Sequence, residues 1–162
     1  MTKPSSVTAS VISIASARKQ LRSAVEGVAP WDVRLGHGTS VFFDFGAREL
    51  SEVSGTPDRG SDQLWIYSAG WRLFGSGGDD AGSGDEGAAM ADALHQLVGC
   101  AVERARFDAD LNLTLHFERG LTFRTLRLST AEDAWTMFRG FTSYSLGGDG
   151  RFCREVRKAA DR

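Results

Sequence analysis

Three histidines, two cysteines and scattered carboxylates are the groups of this 162-residue chain that can do chemistry, and their spacing limits what they can do. His37, His95 and His116 show neither HxxxH nor HxH spacing, so a zinc site would need all three to converge from separate elements. Asp79, Asp80, Asp85 and Glu86 cluster, but without the alternating acids of a calcium loop, and Met90 stands where the closing glutamate would fall. Gly36-His37-Gly38 precedes a strand rather than a helix and matches no phosphate-binding pattern, so it reads as a hairpin turn. Cys100 follows a helix C-terminus, which makes it a poor nucleophile. Cys153, beside Arg151 and Arg154, is the more reactive of the two but reads best as a half-buried strand residue. There is no GxSxG elbow. The pairs Asp79-Asp80 and Glu132-Asp133 read as solvation and capping. The chain is therefore read as non-catalytic, with no metal and no cofactor.

The aromatics say more. Four Trp, ten Phe and two Tyr exceed what a small sheet needs in its core. Trp, Tyr and Arg dominate binding hot spots, which makes Trp65, Tyr67 and Arg72 partner-binding candidates. Asp44 and His116 join them, because a repeat in the sequence gives them equivalent places and a pairing of the two copies would let them approach each other.

That repeat organises the chain. Setting Phe45 on Phe117 superposes Val41, Phe43 and Phe45 on Leu113, Leu115 and Phe117, and each copy ends in a Trp-bearing tetrapeptide, Trp71–Phe74 or Trp135–Phe138. From anchor Phe to Trp the spacing is 26 residues in the first copy and 18 in the second, the extra eight lying within Glu49–Ser61. Period-two alternation predicts strands over Trp31–Gly36, Thr39–Phe45, Leu64–Phe74, Cys100–Phe107, Leu111–Glu118 and Leu121–Ser129. Ala131–Phe141 is ambiguous between a helix and a strand, and Phe152–Arg162 between a strand and a basic helix. Helical spacing predicts one amphipathic helix over Thr8–Val25 and a short one over Ala88–Leu97. Gly75–Gly87 is rich in glycine and acids and reads as a mobile linker outside the core.

The expected fold is thus α+β. A mainly antiparallel sheet, built from two related β units and continuous across both, would carry an N-terminal helix (residues 1–30) and a short helix between the units, within one domain over 31–162. A formal charge of −2 and a pI near 5.9 argue against nucleic-acid coating, although residues 98–162 carry 11 basic and 9 acidic side chains against 8 and 12 before them. Two unpaired cysteines, a leader-like segment whose charges follow its apolar stretch, and no apolar run of spanning length point to a cytoplasmic protein away from membranes.

The runs WDVRLGHGTSVFFDFG, LWIYSAGWRLF and LVGCAVERARFDADLNLTLHFERGLTFRTLRL resemble a family of small bacterial proteins. In that family a W-x-x-x-L-G-x-G-S entry, a W-x-L strand and a D-L-x-L-x-F-x-x-G hairpin recur in this order. The resemblance covers roughly 31–150 and departs at Ser145–Gly150, where the family has Gly-Pro-Gly. It implies a stand-alone immunity protein that binds and blocks a cognate bacterial toxin, and it brings no catalytic residues. The alternative is a small-ligand binder or an enzyme with a pocket between the two β units, using Asp44, His116 and Arg72.

Overall fold

The computed structural model describes residues 7–51, 54–75, 80–128 and 132–157. In chain order these form β1 (Val7–Ile12), α1 (Ile14–Val25), β2 (Asp32–Leu35), β3 (Val41–Glu49), β4 (Arg59–Ile66), β5 (Ala69–Phe74), β6 (Ala81–Gly82), α2 (Gly87–His95), β7 (Val102–Phe107), β8 (Leu113–Phe117), β9 (Thr122–Arg127), β10 (Trp135–Arg139), β11 (Thr142–Leu146) and β12 (Phe152–Arg157). The strands make two antiparallel sheets, one ordered β1-β12-β11-β10-β4-β3-β2 and the other β6-β5-β9-β8-β7. The fold is α+β with a mainly antiparallel sheet core, as expected, but the expected continuous sheet is two.

The alternation of β3 and β8 explains how the sheets meet. Val41, Phe43 and Phe45 point inward from one, Leu113, Leu115 and Phe117 from the other, and all six are buried. Phe43 packs edge-on to Phe123 at 5.1 Å between ring centroids and stacks near Phe117, while Phe107 stacks on Trp135 at 5.4 Å. Both units therefore fill one core, like the inner layer of a β-sandwich.

The repeat is a structural one, with an exchange. Each unit begins as a three-stranded meander, β2-β3-β4 or β7-β8-β9, and each meander's Trp-bearing fourth strand crosses to the other sheet. Strand β5 pairs with β9 and β10 pairs with β4. Trp71 lies opposite Thr125, Trp135 opposite Ile66, and these partners are themselves equivalent, so the tetrapeptides match residue for residue. The crossing corrects the expected single strand Leu64–Phe74. It breaks at Tyr67-Ser68, where β4 leaves one sheet and β5 enters the other.

The N-terminal prediction is corrected as well. Residues 7–12 pair with β12 as a strand, which suits their β-branched and small side chains, and the helix starts only after Ser13, whose hydroxyl accepts from the Ser16 N–H at 3.1 Å. Helix α1 buries Ala17, Leu21, Ala24 and Val25 beside β7. Arg139 ties it to the large sheet through Gln20, Ser23 and Asp62. Helix α2 buries Met90, Ala93 and Leu94 beside β2. Ala81, inside the expected linker, is buried and pairs with Leu73, so that end of the stretch belongs to the core. Asp79 of the calcium reading, residues 1–6, the end of the predicted strand at Ser129, Ala131 and the tail beyond Arg157 lie outside the described residues. The ambiguous segment resolves as β10, and the C-terminal one as β12.

Candidate functional site

The equivalence of the units extends to polar side chains on the two outer faces. On the seven-stranded sheet, Asp44 is flanked by Arg34, whose Nη1 donates to its Oδ2 at 2.6 Å, and by Gln63, whose Nε2 donates to its Oδ1 at 2.6 Å. On the five-stranded sheet the equivalent residues are His116, Arg106 and Thr122. Arg106 Nη2 lies 3.0 Å from His116 Nε2, and His116 Nδ1 lies 3.2 Å from Thr122 Oγ1. Because guanidinium only donates, Nε2 accepts and the ring proton sits on Nδ1, directed at Thr122. Burial, then the neighbouring Arg106 and Arg104, hold the His116 pKa below its usual value, against a smaller opposing pull from Glu103.

The same framework carries opposite charge. Arg34 also bonds Asp32 through Nη1, so this guanidinium has two carboxylate partners. The position equivalent to Asp32 is Arg104, and that equivalent to Asp44 is His116.

The extra residues of the first unit make the second difference. Strands β3 and β4 run on past the ends of their counterparts through a bulge between Phe45 and Arg48. Gly60 sits against it so closely that a Cβ there would lie 2.3 Å from the Phe45 carbonyl oxygen, and its N–H donates to Asp44 Oδ1 at 2.7 Å. This cover buries Asp44 completely. Thr56, Pro57, Arg59 and Gly60 then wall a groove of about 530 Å³ on the outer face, floored by Trp65 and Phe138 and reached by Arg34 and Arg157. Phe42, Trp65, Tyr67 and Phe138 form one aromatic cluster there, with Trp65 5.1 Å from Phe42, 5.6 Å from Tyr67 and 4.7 Å from Phe138. All four are half-buried. Burial, followed by the nearby Asp133, pushes the Tyr67 pKa up to about 12. The Trp65 indole N–H is buried and has no acceptor among the described residues.

Among the described residues the outer face of the five-stranded sheet has no such wall, because β8 and β9 are joined by a single tight turn at Glu118–Gly120. Arg72, Arg104, Arg106 and Arg124 are all exposed on it.

The five candidate residues therefore separate. Asp44, Trp65 and Tyr67 share the groove side, while Arg72 and His116 lie on the opposite outer face. The inward direction of Phe43 and Phe117 turns Asp44 and His116 away from each other, which removes the expected approach between them and any site combining Asp44, His116 and Arg72. The space between the sheets is filled by core, and the groove instead lies outside, where β4 of the first unit meets β10 of the second. Sequence reasoning missed Arg34, Phe42 and Phe138. The Phe138 place was available from its equivalence with Phe74, and Phe42 from its parity with Asp44. His37, His95 and His116 sit on a turn, a helix end and a strand, and no metal-binding cluster occurs among the described residues. No helix among them is long and apolar enough to cross a membrane. No family model, no curated protein and no solved structure matches the chain.

Proposed function

We propose that this is a non-catalytic binding protein of immunity type, which receives an anchoring side chain of a cognate toxin in the groove over Trp65 and Phe138. The observation that carries the reading is the half-buried aromatic cluster set beside arginines in a walled groove. Aromatic anchors with adjacent Arg, ringed by side chains that exclude water, are the composition of binding hot spots. Asp44 supports the site from below. It holds Arg34 and Gln63 in place, so little side-chain entropy would remain to be lost on binding. The resemblance of the sequence to immunity proteins supplies the class of partner.

Co-expression with the toxin encoded by an adjacent gene tests the reading. The protein should protect the host and co-purify with the toxin, and Trp65→Ala should abolish both while leaving the fold intact by circular dichroism. Neither complex nor protection with the intact protein would contradict it.

One observation favours a small ligand instead: the groove volume lies inside the range of small-molecule sites, roughly 300–1,000 Å³. Quenching of Trp65 fluorescence by a metabolite extract passed through a ~3 kDa filter, lost in Trp65→Phe, would select that reading.

A further inference from the structure

The registers place the arginines of the five-stranded sheet in two rows across its outer face. One row reads Arg72, Arg124, Thr114, Arg106 across β5, β9, β8 and β7, and the next reads Phe74, Thr122, His116, Arg104. Arg72 and Arg124 are direct cross-strand neighbours, an arrangement that destabilises a sheet because like charges face each other. Arg124 has one carboxylate, Asp108 at 2.7 Å. Arg72, Arg104 and Arg106 have no ion pair among the described residues. Glu26 acts on Arg104 only at a distance, being bound by Arg22 and the Ala105 N–H. At the equivalent places of the other sheet, the acids Asp32 and Asp44 satisfy Arg34. Here the arginine is kept and both acids are replaced.

Apolar side chains continue the same face. Leu126, near the end of β9, and Leu128, just beyond it, are 44% and 75% exposed, and Phe74 at the start of the second row is 39% exposed. We propose that this face docks an acidic segment of a partner protein, whose carboxylates supply the counter-charges of Arg72, Arg104 and Arg106 and whose aliphatic side chains cover Leu126 and Leu128. Protein fits better than nucleic acid. The exposed apolar groups are mainly aliphatic, which cover a peptide's side chains but offer bases no stacking platform, and the whole chain is acidic. The surface lies on the far side of the core from the groove and does not depend on the function proposed for it.

Fluorescence anisotropy of the full chain with a labelled acidic peptide of mixed Glu and Leu tests this. Its controls are a peptide with Lys in place of Glu and a single-stranded DNA of equal charge. The acidic peptide should bind, the Lys peptide should not, and binding should weaken about tenfold or more from ~50 to ~500 mM salt, as screening requires. Arg72→Glu/Arg106→Glu should lose at least about tenfold in affinity, whereas Trp65→Ala, in the groove, should bind as the parent does. A melting profile not lowered in the charge-reversed variant excludes unfolding as the cause. Should that profile fall, Arg72→Gln/Arg106→Gln at the same exposed places gives the same reading. Absence of acidic-peptide binding up to about 1 mM, equal binding by the folded variants, or tighter binding of the DNA would each overturn the proposal.

Discussion

Arg34 and Arg106 occupy equivalent positions in the two β units, and what surrounds them differs in every respect that governs binding. Arg34 meets two carboxylates, one of them fully buried under an inserted loop, beside a walled aromatic groove. Arg106 meets a neutral histidine, has Arg104 and Arg124 nearby, and lies on an open face. A duplicated framework thus presents one arginine whose charge is met by carboxylates within the chain and an equivalent one whose charge is not. The difference comes from two local changes, the insertion between β3 and β4 and the replacement of two acids, rather than from a change of fold.

The largest expected break in this comparison comes from truncating the equivalent central residues. Asp44→Ala should cost about 3–5 kcal/mol, because it removes a buried carboxylate that receives Arg34, Gln63 and the Gly60 N–H. His116→Ala, at the matching place on the open face, should cost under about 1 kcal/mol. Urea denaturation of both variants measures the pair, and equal losses would erase the distinction between the faces. A smaller effect of opposite sign is expected at Arg72→Glu, which turns a like-charge cross-strand pair with Arg124 into an opposite one and should stabilise the protein by roughly 0.2–1 kcal/mol. The same denaturation curve reads it.

The smallest expected effect is on pH dependence. Burial and two arginines depress the His116 pKa in the fold from 6.5, so protonation is resisted there. Its contribution is intact above about pH 6.5 and is lost as pH falls through the lower folded value, because the unfolded chain takes up the proton first. Stability measured from pH 7 to 5 should therefore fall less in His116→Gln than in the parent. An identical slope would show that the histidine is not held neutral by its surroundings.

The repeat was readable from the sequence because alternation with a large inward residue every second place leaves a pattern that survives duplication, and Phe45, Phe117, Trp71 and Trp135 anchor it. Even the eight-residue excess in the first copy was visible, and it builds the groove wall. The exchange of the Trp strands was not visible, because β5 and β10 choose their neighbours through tertiary pairing that local pattern does not encode. The unbroken apolar alternation from Leu64 to Phe74 hid the change of sheet at Ser68. At the N-terminus, Val7–Ile12 carries apolar residues compatible with either period, and β12 decides in favour of a strand. Trp65, Tyr67 and Arg72 were identifiable as binding candidates from residue type, but alternation alone sets Trp65 and Tyr67 on the face of the buried Trp71, and the face each joins follows from the exchange. The replacement of Asp44 by His116 was readable from the repeat, whereas that of Asp32 by Arg104 needed the register of β7 on β8, since that pair contains a bulge.

Restoring the missing acids tests the central contrast most directly. Arg104→Asp/His116→Asp gives Arg106 the two carboxylates that Arg34 has from Asp32 and Asp44. Differential scanning calorimetry should show the double variant melting higher than the parent by about 2–4 °C at low salt, with the gain shrinking as salt is added. A melting temperature lowered or unchanged at low salt would mean that the arginines of the open face are already satisfied within the chain, and the account of the two faces would fail.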